Sequence, residues 1–431
     1  MTFRFFVALL VYRLVLPLLF IAAFPGWLWK MFRRGGIGTG LGERAAIYKT
    51  RLEDEPCGQI HIHAISVGET LLALKLIREW RTTEPDRRFV LAVGTATGHA
   101  VGTSSGLPDL RVTYSPLDLP SMVRRYLNRF EPSKIVLIEG EAWPHLLLAC
   151  KKRGIPVSLV NARLSPRSAR RYQKFARWIS PLFGMLDTLA TQEPADNAIW
   201  QKLGLSPGKI HTTGSLKFDP GSGKRPTVRP EFQAMLDHFH IAGKPRPVVL
   251  VASSHIGEET WIATAIRAAD PSALPAIVPR HAERRLEVKG DLERAGFEVI
   301  LRSAFVPPTD PATACFVIDS TGELRDWTAH SGIVVIGKSF LSIGGQNPAE
   351  AILANKLLVF GPHMENFEPL SSRLVAADAA SQANDQADLT KAVRNLLDPS
   401  KARRMAANAG ALLDPHDGAT RRIVSLISGK S

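Results

Sequence analysis

The chain has 431 residues, 45% hydrophobic and 22% charged, with 54 Lys+Arg against 40 Asp+Glu and a formal charge of +14. This composition excludes a mostly disordered chain or a fibre, and the length suffices for two domains of ordinary size. The cation excess points to an anionic partner: nucleic acid, an anionic membrane surface or a phosphorylated substrate.

The first element is apolar. Leu14–Trp29 carries no charge over 16 residues, short of the ~20 needed to cross the hydrocarbon core. Extension upstream to Phe3 includes Arg4 and Arg13. Trp27 and Trp29 stand where an interfacial belt would be, and Lys30, Arg33 and Arg34 follow. These flanks differ from the small residues of a cleavage site, so an uncleaved anchor is expected over 1–34. A single span and a helix lying in the interface are both compatible with the pattern. Either keeps the remainder on the cytoplasmic side by the positive-inside rule.

A Gly-rich connector, 35–40, leads into alternating strands and helices. Strands are expected at 59–65, 88–93, 134–138 and 156–160, with a helix at 71–80. The stretch 216–246 is polar and rich in Pro and Gly, which marks a linker or hinge. A second alternating set has strands at 247–252, 276–278, 297–301, 315–318, 333–336 and 356–360, and 384–427 looks helical. The expected plan is an anchor (1–34), an α/β domain (35–215), a linker (216–246), a second α/β domain (247–400) and a C-terminal helical segment (401–431). Short strands separated by helices imply doubly wound parallel sheets, here two Rossmann-like domains facing a cleft. Ligands of such sheets sit at the carboxyl ends of strands.

Cys57, Cys150 and Cys315 are far apart and form no C-x-x-C pair, so neither a zinc site nor a disulfide framework is indicated. His61 and His63 share one strand face without a third ligand, so no metal is expected. No P-loop or strict G-x-G-x-x-G occurs.

The strand-end motifs carry the chemistry. Ser66-Val-Gly-Glu69 follows the first strand. It reads as a capping box, with Ser66 at the N-cap and Glu69 at N3, or as a general base projecting into the cleft from a strand end. Glu139-Gly-Glu141 places two carboxylates after another strand, followed by Trp143 and Pro144. Asn161–Arg171 contains four arginines within nine residues from Arg163, which reads as a solvated helix face or a phosphate site. In the second set, Ser254-His255, Arg280-His281, Lys338-Ser339, and Asn347 with Glu350 stand in turns that open helices, which suits an anion such as a nucleotide phosphate.

Taken together these motifs resemble the 3-deoxy-D-manno-octulosonic acid (Kdo) transferases, inverting glycosyltransferases of the two-domain GT-B fold. The resemblance runs over nearly the whole chain. It rests on the apolar N-terminus, His63–Glu69, Thr97-Gly98, Glu139–Pro144, Asn161–Ser165 with Arg167-Ser168, Thr213–Lys217, Ser254-His255 with Gly257–Glu259, Pro279–His281 with Glu283-Arg284, Gly344–Asn347 with Glu350, and Gly361–His363. It implies transfer of Kdo from CMP-Kdo to a lipid A precursor, lipid IVA, in lipopolysaccharide core biosynthesis at the cell inner membrane. It further implies Glu69 as the base, and Glu139 or Glu141 assisting or positioning the acceptor. Ser66, Gly68 and Arg163 are expected in substrate binding. The CMP-Kdo site is expected from Ser254, His255, Arg280, His281, Lys338, Ser339, Asn347 and Glu350. Neither a metal nor another cofactor is expected, nucleic acid drops out as a partner, and protein partners and oligomeric state are not indicated. Gln346 stands where the family usually has His, and Ala142 and His145 where Leu and Asn are usual; Pro279–Ala282 lacks the second proline. On residues alone two other readings stay open: a GT-B enzyme using another nucleotide sugar on a membrane acceptor, and a non-catalytic binder of anionic glycolipid.

Overall fold

The computed structural model describes residues 2–33, 40–49, 51, 53, 55–140, 142–164, 166–219 and 226–429. Most of the glycine connector, part of the linker motif (220–225), Ser165 and Glu141 lie outside the described residues, as do the side chains of Trp27, Lys30 and Arg33. Two compact units form, Met1–Gly221 with His416–Ser431, and Ser222–Pro415.

The first unit is built on seven parallel strands: β1 (Ile60–Ala64), β2 (Phe89–Val93), β3 (Leu110–Tyr114), β4 (Lys134–Ile138), β5 (Val157–Ala162), β6 (Thr188–Thr191) and β7 (Ile210–Thr212). Their order is β3-β2-β1-β4-β5-β6-β7, so the winding reverses between β1 and β4. β1, β2 and β5 are buried at every position, which explains the continuous apolar run of β2; β1 and β5 bury polar side chains as well, His61 and His63, and Ser158 and Asn161. The second unit has β8 (Val248–Ser254), β9 (Leu274–Pro279), β10 (Glu298–Leu301), β11 (Ala314–Val317), β12 (Ile333–Ile336), β13 (Leu357–Phe360) and β14 (Ser381–Gln382). They lie in the order β10-β11-β9-β8-β12-β13-β14, again all parallel, with a reversal between β8 and β12.

Helices cover both faces of the first sheet. One face carries Pro120–Phe130, Pro144–Arg153, Ala176–Phe183 and Pro194–Lys202, and the N-terminal helix Phe3–Arg33 inserts Phe5 into their core. The opposite face carries Val67–Thr83 and, against it, the C-terminal helix Ala419–Ser428 through Ile423, Val424 and Ile427. The expected separate C-terminal segment over 401–431 is therefore corrected. Pro399–Leu413 belongs to the second unit, whereas Ala419–Ser428 completes the first. The linker expected over 216–246 divides similarly: 216–221 group with the first unit, and Pro230–Asp237 is a helix of the second.

Asp219 gives the physical reason. Its buried carboxylate accepts the amides of Gly418 at 3.0 Å and Thr420 at 2.7 Å, and the Thr420 hydroxyl donates to the same group. It thus satisfies the otherwise unpaired donors at the start of the C-terminal helix. Lys75 Nζ lies 3.8 Å from Asp219 Oδ2 and donates to Leu216 O at 2.9 Å.

Removal of this carboxylate leaves two amides and the Thr420 hydroxyl without their acceptor and takes a counter-charge from Lys75, a loss of about 2–4 kcal/mol. Asp219→Ala should lower the melting temperature of the first unit by roughly 5–12 °C. It should also make the C-terminal helix the first site of limited proteolysis. Unchanged melting and cleavage would refute the capping role.

Candidate active site

In a parallel sheet the two strands flanking the reversal send their crossovers to opposite faces and leave a crevice at their carboxyl ends. In the first unit that crevice is framed by the turns after β1 and β4, which carry Ser66–Glu69 and Glu139-Gly140. In the second it is framed by the turns after β8 and β12, which carry His255–Glu258 and Gly337–Ser339.

Ser66 is the N-cap of Val67–Thr83, and its hydroxyl accepts the Glu69 amide at 3.2 Å, as the capping pattern predicts. The Glu69 carboxylate does more than close a capping box. Oε1 accepts the Ser66 hydroxyl at 2.9 Å, and Oε2 accepts the amide of Ile65, one residue before the cap, at 3.0 Å. Both contacts fix the carboxylate at the strand end. Glu69 is 8% exposed, and burial raises its pKa above the ordinary 4.5. The Ile65 and Ser66 hydrogen bonds oppose that shift; Glu139 adds to it, and Lys217 opposes it. Gly68 is exposed beside it, with only the Ser66 hydroxyl, at 3.9 Å, near where a Cβ would stand.

Glu139 continues β4 by donating its amide to Val160 O, but its φ of 65° lies in the left-handed region, rare for a residue with a side chain. Such backbone strain concentrates where function fixes a side chain. The side chain pairs with Lys217 Nζ at 2.9 Å. Lys217 was visible beforehand only as the last residue of Thr213–Lys217. The Arg163 amide donates to Glu139 O at 3.2 Å, so β5 brings Arg163 beside the same turn. Arg167, Arg170 and Arg171 are exposed around Pro166–Lys174.

The second unit places the same kind of residue in a different role. Glu258 is fully buried and accepts four backbone amides: His255 at 3.0 Å, Lys338 at 2.6 Å, Phe340 at 3.2 Å and Leu341 at 3.3 Å. It ties the β8 turn to the β12 turn across the reversal. Glu259 accepts the Ser254 hydroxyl at 3.1 Å and pairs with Arg284 at 2.8 Å. Two carboxylates thus already occupy the start of helix Glu258–Ala269, and an anion placed there meets negative charge. This changes the expectation that this helix start holds phosphate.

The nitrogen-bearing side chains around it are better placed. Lys338 has φ 56° and is half-buried, Arg280 is exposed, and the His255 and His281 rings lie 6.4 Å apart between centroids. Burial, and next the Lys338 charge, hold the His255 pKa below its ordinary value. Ser254 and Ser339, expected at the donor surface, are fully buried. The Ser339 hydroxyl donates to Ile336 O at 2.6 Å and accepts the Gly361 amide at 2.8 Å, so these serines shape the turns. Asn347 is exposed and its Oδ1 accepts the Ala349 amide at 3.1 Å, opening the short helix that carries Glu350. Burial raises the Glu350 pKa, with Arg325 opposing.

His61 and His63 belong to the core. The Tyr126 hydroxyl lies 2.6 Å from His61 Nδ1, and burial drives both imidazoles to low pKa, His63 to about 4. Among the described residues no group of three or more His, Cys, Asp or Glu is arranged to hold a metal ion. His145, one of the departures, has its ring tilted against Tyr12, centroids 5.2 Å apart, and donates its amide to Asp118 Oδ2 at 2.9 Å.

The family model for 3-deoxy-D-manno-octulosonic-acid transferase (kdotransferase) matches residues 39–220. The 3-deoxy-D-manno-octulosonic acid transferase of Bordetella pertussis is 32% identical over 415 residues, covering 93% of this chain and 94% of that protein. The transferase of the same name from Haemophilus influenzae is 32% identical over 393 residues, covering 90% of each. Among solved structures, UDP-GlcNAc 2-epimerase from Neisseria meningitidis superposes with a TM-score of 0.56 at 13% identity, covering 86% of this chain and 100% of that one. That likeness is one of fold, and it agrees with two Rossmann-like units of the GT-B type. Identity at this level over nearly the full length of two transferases, with the strand-end motifs in place, shows that the chain belongs to the 3-deoxy-D-manno-octulosonic acid transferase family of glycosyltransferases.

Proposed function

We propose that this glycosyltransferase moves Kdo from CMP-Kdo to lipid IVA with inversion, and that Glu69 is its general base. The observation carrying this reading is the Glu69 carboxylate: buried at the reversal of the first sheet, aimed by Ile65 and Ser66, and raised in pKa by burial. A raised carboxylate is the stronger base toward an alcohol. Glu69 takes the proton of the acceptor hydroxyl while that oxygen bonds to the anomeric carbon of Kdo. The bond from that carbon to the CMP phosphate oxygen breaks, and its electron pair leaves with CMP. Glu139, held by Lys217, orients the acceptor beside the base. His255, Arg280 and Lys338 meet the phosphate charge that grows as CMP departs.

The acceptor is a phosphorylated lipid, and two features suit it. The helix Phe3–Arg33 contains a 21-residue window, Phe3–Ala23, of mean hydropathy 2.5, long and apolar enough to cross a membrane by length and composition. The exposed Arg167, Arg170 and Arg171 offer guanidinium groups to acceptor phosphates. In this reading the chain works at the cytoplasmic face of the inner membrane.

Glu69→Gln keeps an acceptor oxygen for Ile65 but not the base. It should lower kcat by about 10²–10⁴-fold with little change in melting temperature. Mass spectrometry of the lipid product, with CMP release in parallel, measures the loss. Retention of wild-type turnover would exclude Glu69 as base.

The pH profile has a definite sign. Glu69 must be deprotonated to act, so kcat/KM falls as pH drops through its raised pKa, and the acid limb lies above 4.5. Lys217→Met removes a cation that lowers this pKa and should move the limb upward. Glu139→Gln removes an anion that raises it and should move the limb downward. Shifts of the same sign in both variants would refute the assignment.

A further inference from the structure

A cavity of about 350 Å³ lies within the first unit, between the N-terminal helix and the strand-end turns. Its walls are Leu16 and Phe20 of that helix, Leu117 of the loop after β3, Trp143, Leu146 and Ile65. Its principal charged lining groups are already engaged. Asp118 accepts the Tyr12 hydroxyl at 3.0 Å and the amides of His145 and Leu146 at 2.9 Å each. Arg44 donates to Gly94 O at 2.8 Å and lies over the Tyr114 ring at 4.2 Å. What faces the space is mainly hydrocarbon, so a polar ligand would lose water contacts there without replacing them. The volume falls in the range of small-molecule sites, roughly 300–1,000 Å³.

Its position is specific at both ends. Ile65, one wall, is the residue whose amide holds Glu69. At the other side, Leu16 and Phe20 share their helix with Leu14, Leu18, Leu19 and Ile21, all exposed. The space therefore runs from an apolar, outward-facing helix to the turn bearing the base. Trp143, which capping alone did not require, forms part of its wall.

We propose that this cavity binds a saturated acyl chain of the acceptor lipid and so sets the depth at which the acceptor hydroxyl meets Glu69. The proposal rests on the acceptor reading above. Leu16→Trp and Leu117→Trp each place an indole in the space from half-buried positions, where a larger side chain can be accommodated. Full-length protein in phospholipid vesicles is assayed with the tetraacylated acceptor and with the same phosphorylated disaccharide stripped of its acyl chains. Each variant should lose at least tenfold more kcat/KM on the acylated acceptor than on the stripped one. Equal losses, or none, would overturn the proposal.

Photolabelling with a diazirine-bearing tetradecanoyl chain provides the second readout. In the wild type, label should fall on peptides containing Leu117, Trp143 and Leu146, should be displaced by the tetraacylated acceptor, and should diminish in Leu117→Trp. Label confined to the outer face of the N-terminal helix, or label from a diacyl phospholipid probe that the acceptor does not displace, would overturn the assignment to the acceptor. If the wild type transfers Kdo to neither acceptor, the function reading fails by itself. Labelling then decides whether the cavity takes an acyl chain at all.

Discussion

At the carboxyl end of a parallel strand the turn amides have left the ladder and need new acceptors. Both units meet this constraint with a glutamate in the first turn of the helix that follows their first strand. The local sequences are Ser66-Val-Gly-Glu69 and His255-Ile-Gly-Glu258. The outcomes differ in solvation. Glu258 is wholly buried and saturated by four amides that bridge two turns, so it is a structural anion. Glu69 accepts one amide and one hydroxyl and keeps an opening to solvent, so it retains capacity to take a proton. One solution to a backbone problem thus appears twice, and its incomplete use in the first unit yields the candidate base.

The same constraint governs how anions can be held in the second unit. Glu258 and Glu259 consume the start of their helix, which removes the usual helix-terminus site for phosphate. Two cations at neighbouring strand ends remain, Lys338, strained at φ 56°, and Arg280; His255, whose pKa is lowered by burial and Lys338, adds a ring nitrogen beside them. In the proposed reading a phosphate at this surface would meet the side-chain charge of Lys338 and Arg280, while the buried carboxylates of Glu258 and Glu259 fix the turns. Gln346, in place of the usual His, adds no charge to that set.

Central buried strands were legible in the sequence because parallel packing makes them almost continuously apolar: 134–138 and 333–336 are observed as expected. β3, β6 and β7 were missed because they mix polar residues, as in Leu-Arg-Val-Thr-Tyr, and lie toward the sheet edges. In the site, the Ser66–Glu69 cap was readable from spacing, but spacing alone could not distinguish a cap from a base. Burial and the Ile65 contact supply that distinction. Asp219 and Asp118 gave no local signal, because their partners lie far along the chain; Glu258 stood in a visible motif, Gly257–Glu259, but its four amide partners in two turns did not show. Ser254 and Ser339 show the converse: a hydroxyl at a strand end looks available in sequence, and the structure shows both already hydrogen-bonded within the turns.

The N-terminal helix is more than a tether. Phe5 is 3% exposed within a core cluster, and Tyr12 bonds to Asp118, which also caps the helix bearing Trp143 and His145. A freely diffusing span would have no need of these contacts. Because they exist, the outward apolar face of the helix is held in register with the turn that carries Glu69. His145 then has a physical account: its ring packs near Tyr12 and its amide joins the same carboxylate. In the proposed reading, membrane contact and acceptor placement would form one mechanical unit, with the depth of the helix in the lipid setting the height of the base above it. An acyl chain lodged between them would be measured against that distance, so acceptor selection would follow from how the helix is docked as much as from the polar groups around the reacting hydroxyl.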